Sequence, residues 1–317
     1  MLKHKNIGLF SILVLSMGLV ACQPQQAEPK AEPEKATKPA PDLSAKLIGD
    51  SEKLKIQLPE CDGKSCPEIS LDRLNSNQSF IDEFIDQQIL QQLGAMLSVE
   101  PEQKKANLAA SEAQVASEAK SLADVQTPQV KMQQQLEPYL QAFVALDKEL
   151  KNLSSAQKIS LMIKPKILNS GEPIATVVLN SSSYLGGAHG ASAQQYYNFD
   201  LKSKKLVTLD ALLLAKQKPR LEQLAHEAFK TWVIDAKLAD NVQDYEQAWK
   251  FKLSDNYYLS KEGLILQYGE YDIGPYVVGL PRLTIPYAQL ETVLKAQYLP
   301  AKVETVASEA QPNTASK

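Results

Sequence analysis

The sequence predicts an α+β fold in which antiparallel sheets pack against helices in two interleaved subdomains. Around residues 80–97, 129–152 and 220–237, apolar side chains recur at helical spacing. Other short segments, bounded by turn residues, alternate polar and apolar side chains as β-hairpins do. Strands and helices come in runs without regular alternation, and this order favours an antiparallel sheet over a parallel one.

The N-terminus is predicted to be a lipoprotein signal peptide over residues 1–21. Two lysines precede an apolar run at residues 7–20, which is too short to span a bilayer comfortably. Leu19-Val-Ala-Cys22 resembles a bacterial lipobox, and this implies that Cys22 is lipidated and begins the mature chain. Gln23 stands where inner-membrane lipoproteins often have Asp, which favours the outer membrane. An ordinary signal peptide that happens to contain a cysteine is the alternative.

Charge and composition argue against several classes of partner. Without residues 1–21, the chain carries 32 basic and 37 acidic side chains, a balance of −5. A mildly acidic protein is a poor candidate for nucleic acid or for anionic lipid surfaces. We therefore expect no nucleic-acid partner, and a membrane contact only through the lipid on Cys22. The expected location is the bacterial cell envelope, anchored by lipid to the outer membrane and facing the periplasm.

The boundaries of the folded part follow from composition. Residues 22–42 and 301–317 are rich in small and polar side chains, and we predict a disordered tether and a disordered tail. Between them we predict an N-terminal α+β subdomain over residues 43–184 and a C-terminal one over residues 185–300.

Two cysteines, Cys61 and Cys66, flank a short segment with turn residues. An exported protein meets an oxidising compartment, so a disulfide is the favoured interpretation. A metal site is the rival, but no nearby histidine or second cysteine pair completes a ligand set.

The N-terminal half is predicted to contain one strand and two helices. Residues 53–58 alternate as a half-buried strand, and residues 80–97 form a helix with one apolar face. Residues 101–127 have only a thin apolar stripe and are predicted to be a weak helix or a solvated connector. The second helix covers residues 129–152, and Pro138 inside it is predicted to kink or restart it.

From residue 158 onward, polar and apolar side chains alternate with a period of two residues, as they do in β-strands. Residues 158–163 and 174–180 are predicted to form a hairpin, and residues 195–201 and 206–208 a second one. A clear amphipathic helix is predicted for residues 220–237.

The last part is predicted to mix helices with short strands. Residues 245–249 continue as a short helix, residues 257–259 and 264–268 form a hairpin, and residues 282–286 form a final strand. Residues 287–298 are predicted to close the fold as a helix.

A glycine-rich corner and an aromatic loop hold the candidate functional residues. Gly186 and Gly187 are predicted to turn the chain sharply off the sheet, using backbone angles that other residues avoid. His189 is favoured as a structural residue that hydrogen-bonds the neighbouring backbone, with a ligand contact or a general base as the alternative.

The loop after residue 268 mixes acids with aromatic side chains between glycines and a proline. Its candidates for ligand binding, to which His189 is added, are Glu270, Tyr271, Asp272 and Tyr276. A loop of this composition on a rigid scaffold suits recognition of protein or sugar. A tight turn whose tyrosines cap the sheet is an equal alternative.

Three motifs carry a resemblance to a known family. They are Tyr184-Leu-Gly-Gly-Ala-His189, Tyr197-Asn-Phe-Asp-Leu201 and Tyr268-Gly-Glu-Tyr-Asp-Ile-Gly-Pro-Tyr276. Together they resemble the C-terminal domain of RsiV-type anti-sigma factors and of related uncharacterised envelope lipoproteins. Residues 54–184 are similar to the smaller domain that precedes it, which also occurs ahead of some peptidoglycan deacetylases.

The resemblance implies an extracytoplasmic module that recognises lysozyme. The sequence has no segment matching the family's sigma-binding part and no deacetylase domain, so neither activity is carried over. Gly190 stands where we expect proline in many relatives.

These observations favour a non-enzymatic envelope lipoprotein that binds a lysozyme-like protein or a peptidoglycan ligand. We predict no catalytic residues, metal ligands or cofactor: no Gly-x-Ser-x-Gly elbow is present, and no histidine pair has helical spacing. The alternative is an envelope hydrolase, or an accessory to a peptidoglycan-modifying enzyme, that uses His189 with a nearby acid.

Overall fold

The computed structural model describes residues 46–61, 65–99, 127–153 and 158–300. These residues form a mixed α+β fold, which confirms the predicted class. The strands are β1 (Gly49–Lys53), β2 (Glu68–Ser76), β3 (Ser160–Gly171), β4 (Ile174–Tyr184), β5 (Ala191–Asp200), β6 (Lys205–Leu206), β7 (Tyr257–Leu259), β8 (Gly263–Gln267) and β9 (Arg282–Pro286). The helices are α1 (Ser79–Leu97), α2 (Pro128–Asn152), α3 (Leu209–Leu212), α4 (Lys218–Asp235), α5 (Val242–Ala248) and α6 (Tyr287–Leu290).

The first six strands form one sheet in chain order, and the last three form a second sheet in the order β7-β8-β9. All described pairs are antiparallel except β2 and β3, which run parallel where Glu68–Leu71 meets Ser160–Ile163. A parallel pair needs a long crossover connection. The chain between β2 and β3 supplies one, because it contains α1 and α2.

One hydrophobic core lies between the large sheet and helices α1 and α2. Phe84 on α1 packs edge-to-face against Tyr197 and Phe199 of β5, with ring centroids 5.2 and 5.5 Å apart. The Tyr197 hydroxyl donates to Gln88 Oε1 at 3.0 Å, and burial raises the pKa of Tyr197 to about 12. This packing sets the position of β5, from which the candidate site is built.

A second core packs α4 and α5 against the small sheet. Asparagine side chains join the two sheets. Asn198 Nδ2 of β5 donates to the Tyr257 carbonyl of β7 at 2.8 Å, and Asn198 Oδ1 accepts from the Thr176 hydroxyl at 2.8 Å. Asn256 forms two more hydrogen bonds with β5. Its Oδ1 accepts the Tyr196 N–H, and its Nδ2 donates to the Gln194 carbonyl. These side-chain amides join β5 to the small sheet in place of a ladder of backbone hydrogen bonds.

Two predicted elements were wrong in position or length. The strand predicted at residues 53–58 lies earlier in the chain: β1 is Gly49–Lys53, which pairs with Asp72–Ser76, and one further hydrogen bond joins Leu54 N to Leu71 O. The helix predicted at residues 287–298 is α6 followed by a 3₁₀ turn at Ala296–Tyr298. Between α6 and this turn, the chain bonds the end of α3 and the residue Leu214 beyond it, through Leu214 N to Val293 O and Lys295 N to Leu212 O.

Other predicted elements agree more closely with the structure. The predicted helix at residues 129–152 is α2, which runs through Pro138 as one helix rather than restarting there. The hairpin of β7 and β8 and the strand β9 are confirmed.

Several predictions concern residues outside the described part. The signal peptide, Cys22, the tether, the tail and residues 101–126 of the predicted connector all lie there. The predicted subdomain boundary at residue 184 falls at the end of β4, whose neighbour β5 continues the same sheet. That boundary stays a prediction.

Candidate functional site

The candidate site forms where two loops meet at one end of the sheets. One loop joins β4 to β5 and holds the glycine corner; the other joins β8 to β9 and holds the aromatic residues. Glu270 ties them together, because its Oε1 accepts the Ser192 N–H of β5 at 2.9 Å. Residues 82 positions apart in the chain, such as His189 and Tyr271, are thereby brought into contact.

The glycine corner uses backbone angles that suit glycine. Gly186 has φ +90° and Gly187 has φ +106°, in the region that L side chains rarely adopt. The Tyr184 hydroxyl donates to the Gly187 carbonyl at 2.9 Å and closes the turn. A Cβ on Gly190 would lie 2.8 Å from the Ser183 carbonyl oxygen, so this close approach of the chain to β4 also requires glycine.

We expect Gly186→Ala to lower the free energy of unfolding more than Gly187→Ala does. Both variants strain a positive φ, at a cost of about 1–2 kcal/mol. A Cβ on Gly186 also meets the Leu150 side chain at 3.1 Å, whereas one on Gly187 meets nothing within 4 Å. Urea unfolding of the two variants measures the difference. Equal stabilities would show that Leu150 yields without cost.

His189 lies exposed between two tyrosines. Its Nδ1 is 2.9 Å from the Gly190 carbonyl, and its ring stacks on Tyr276 with centroids 3.9 Å apart. Because a carbonyl can only accept, Nδ1 carries the proton in the neutral ring, and Nε2 then accepts from the Tyr271 hydroxyl 3.0 Å away. The Tyr276 hydroxyl donates to the same Gly190 carbonyl at 3.2 Å. Both ring nitrogens are therefore occupied within the site.

The two acids of the loop are engaged elsewhere. Glu270 bonds the β5 backbone, as described above. Asp272 Oδ2 accepts the Gly269 N–H at 2.7 Å, and Oδ1 accepts from Lys252 Nζ at 2.6 Å. Among the described residues, no hydrogen bond joins His189 to either carboxylate. Both acids shape the loop in this structure.

Two buried tyrosines fix the base of the aromatic loop by hydrogen bonds. Buried Tyr245 of α5 donates to the Ile273 carbonyl at 3.1 Å, and a Cβ on Gly274 would lie 2.6 Å from that hydroxyl. The Tyr268 hydroxyl donates to the Lys252 carbonyl at 2.8 Å, and burial raises the pKa of Tyr268. A loop fixed in this way presents its outer side chains in a set orientation.

These outer side chains form the aromatic surface, which we define as His189, Tyr271, Tyr276 and Val277. Val277 is 86% exposed, Tyr271 50% and Tyr276 38%. Sequence reasoning missed Val277, although an apolar residue in a loop bounded by proline and glycine was a signal that could have found it. Tyr271, at φ +63°, is held in a left-handed conformation that turns the chain under this surface.

The remaining predicted residues lie outside this site. Cys61 and Cys66 form a disulfide, as predicted, in the segment between β1 and β2. Within residues 46–61, 65–99, 127–153 and 158–300, no three His, Cys, Asp or Glu side chains cluster as metal ligands would. None of the helices in the described part of the chain has both the length and the hydrophobicity needed to cross a membrane.

The fold and this surface define an α+β protein in which a hydrogen-bonded aromatic loop lies beside a glycine corner. Residues 193–288 match the model of a family described as protein of unknown function (DUF3298). This segment covers most of β5, all of β6 to β9 and the aromatic loop.

Solved structures share the fold. A DUF3298 family protein from Pseudomonas aeruginosa PAO1 aligns over 81% of this chain and 96% of its own, with a TM-score of 0.54 and 21% identity. A second member, from Bacteroides fragilis, aligns over 79% and 93%, with a TM-score of 0.50 and 18% identity. At these identities the likeness concerns the fold alone.

One characterised relative is similar in sequence. The peptidoglycan-N-acetylmuramic acid deacetylase PdaC of Bacillus subtilis is 24% identical over 159 residues, which cover 48% of this chain. The matched region is 33% of PdaC, so this chain spans about a third of the length of that relative.

Proposed function

We propose that this protein is a non-enzymatic binding module of the bacterial cell envelope. Its aromatic surface binds a protein such as a lysozyme-like enzyme, or a peptidoglycan fragment. The similarity to PdaC supports a role in the envelope. The resemblance of the two loops to RsiV-type domains supports the choice of ligands.

The exposed aromatic surface is the observation that carries the proposal. Tyrosines are frequent in recognition surfaces, because they offer a large contact area with few rotatable bonds. Here they are already oriented, by the stacking of Tyr276 on His189 and by the bond from Tyr271 to Nε2. A preorganised surface loses little conformational entropy on binding.

The alternative, an envelope hydrolase or an accessory to a peptidoglycan-modifying enzyme, would use His189 with a nearby acid. A general base needs an acceptor nitrogen within reach of the proton that it removes. Nε2 of His189 is occupied by Tyr271, and Glu270 and Asp272 bond other groups. The geometry therefore favours binding over catalysis.

We further propose that a lipid on Cys22 anchors the protein to the outer membrane, facing the periplasm. The lipobox-like sequence before Cys22 supports this location. A Cys22→Ser variant should move from the membrane fraction to the soluble fraction of cells. Retention of the variant in the membrane fraction would contradict a lipid anchor.

We expect Val277→Asp to weaken ligand binding by about tenfold or more. The change places a charge that needs water at the centre of a contact, and one such charge costs at least about 1.4 kcal/mol. Purified full-length protein in detergent would be titrated with lysozyme and with soluble peptidoglycan fragments. The Val277 side chain has no polar atom and is the most exposed large apolar side chain of the surface, so the variant should fold.

Leu168→Asp is the matched control, because Leu168 is also exposed but lies on β3. Binding that is weakened by Val277→Asp and retained by Leu168→Asp supports the aromatic surface. Absence of saturable binding to both ligands, with the circular dichroism of a folded protein, would refute the proposed function. Release of a product from the fragments would favour the enzymatic alternative.

A further inference from the structure

The large sheet has one face turned away from α1 and α2. Alternate residues of β4 lie in the core with these helices, for example Val177 and Leu179, so Asn180 belongs to the opposite face. Gln194 of β5 pairs with Asn180 and shares that face. At one end, this face is extended by the outer face of the small sheet, because Arg282 of β9 reaches Gln194.

Arg282 is held by two glutamines. Its Nε donates to Gln267 Oε1 at 2.8 Å, and its Nη2 donates to Gln194 Oε1 at 2.6 Å. Gln267 is 1% exposed, and its Nε2 donates to the backbone carbonyls of Tyr268 and Pro281. A buried amide is thus fixed with its oxygen towards the guanidinium.

The second glutamine is fixed as well. Gln194 Nε2 donates to Asn180 Oδ1 at 2.9 Å, and Asn180 Nδ2 donates to the Lys164 carbonyl at 3.4 Å. Side chains and backbone on four strands therefore orient one exposed arginine. The acceptors of this network are neutral, so they orient the positive charge without cancelling it.

Arg282 has no carboxylate partner in the described part of the chain. The Tyr196 hydroxyl also lies beside the guanidinium, and the N–H groups that these contacts leave are available to a ligand. A guanidinium with two parallel N–H groups matches the geometry of a carboxylate. Two more cations occupy the same face, since Lys164 pairs with Asn180 across β3 and β4, and Lys166 pairs with Val178. Lys164 is balanced by Asp72 at 3.4 Å, whereas Lys166 has no ion pair in the described residues.

We propose that Arg282 is an anion-binding residue that takes a carboxylate of a peptidoglycan peptide. This assignment rests on the peptidoglycan ligand of the proposed function and adds a second point of contact. Arg282 lies near the aromatic surface. Its partner Gln194 is two residues along β5 from Ser192, which corresponds to about 7 Å. Ser192 bonds Glu270, the neighbour of Tyr271 in the aromatic surface. One peptide-bearing fragment can therefore cover both.

The test uses purified full-length protein in detergent and a disaccharide-peptide fragment in two forms, with its carboxylates free or amidated. Variants are Arg282→Gln and Arg282→Lys. The control is Lys261→Gln, which removes one exposed positive charge at the opposite end of the small sheet, in the turn between β7 and β8. Calorimetry gives Kd for each pair, and circular dichroism checks the fold.

We expect Arg282→Gln and amidation of the fragment each to weaken binding about ten- to a hundredfold, as loss of a charge-assisted hydrogen bond does. Amidation should not weaken binding to Arg282→Gln further, because the two changes remove the same contact. Arg282→Lys should bind more weakly than the native protein, since lysine lacks the paired N–H geometry. Lys261→Gln should stay within about twofold of the native Kd.

Several results would overturn the assignment. If amidation weakens Arg282→Gln as much as the native protein, the carboxylate binds elsewhere. If the fragment binds and Val277→Asp abolishes binding while Arg282→Gln does not, Arg282 only joins β5 to β9, and the proposed function stands. If the native protein binds lysozyme but no peptidoglycan fragment, the anion site is refuted and the protein ligand remains.

Discussion

Replacing Arg73 with leucine should lower the free energy of unfolding by about 3–5 kcal/mol, the usual effect of removing one partner from a buried ion pair. Arg73 of β2 is buried, and its Nη2 lies 2.9 Å from Asp86 Oδ2 on α1. Asp82 is also close and is buried. Burial raises the pKa of Asp82 and of Asp86 despite the nearby guanidinium, so both carboxylates are already costly in their charged form. Without Arg73, Asp86 loses its ion pair, and Asp82 keeps only its hydrogen bonds from Ser76.

Urea unfolding followed by circular dichroism would measure the change. The double variant Arg73→Leu/Asp86→Asn should recover part of the loss, because the uncompensated charge is gone. Lys202→Leu is the control, since Lys202 and Glu172 form an ion pair that is exposed on both sides and contributes about 0–1 kcal/mol. If the double variant were no more stable than Arg73→Leu, the loss would come from packing rather than from charge.

Replacing Asn198 with leucine should be almost as damaging, at about 2–5 kcal/mol. Asn198 is buried, and its amide satisfies the Thr176 hydroxyl on one side and the Tyr257 carbonyl on the other. Leucine has a similar size but no polar atom. Two buried groups then lose their partners, and each unsatisfied group costs about 1–3 kcal/mol.

Thermal unfolding and urea titration would give the size of this effect. Asn180→Leu is the comparison, because Asn180 is on the same sheet but only half-buried, so water can replace its bonds. A loss for Asn198→Leu no larger than that for Asn180→Leu would show that the contact between β5 and β7 does not depend on this amide.

Much of the secondary structure could be predicted from local pattern. The apolar spacing of α1, α2 and α4 and the alternation of β7, β8 and β9 are properties of each segment alone, and the structure contains all six. The predicted final helix failed for a non-local reason. Val293 and Lys295 bond the end of α3 and the residue Leu214 beyond it, and no local pattern predicts a partner about eighty residues away.

The candidate site shows the same division. Its glycines, His189 and its tyrosines were found from the sequence, because rare residue types in turn-rich segments mark a site. What each side chain does was not predictable. Glu270 looked like a ligand residue and bonds the β5 backbone, Asp272 turns to Lys252, and Val277 and Arg282 drew no attention.

The sequence by itself thus determined the fold class, the disulfide, most helices and strands, and the two segments that hold the site. Those properties follow from residue type and from spacing along the chain. Only the tertiary structure decided that Asn198 and Asn256 join the two sheets, that the two loops meet, and that Arg282 is oriented without a carboxylate. These contacts depend on distances between residues far apart in sequence, which are set by how both cores pack.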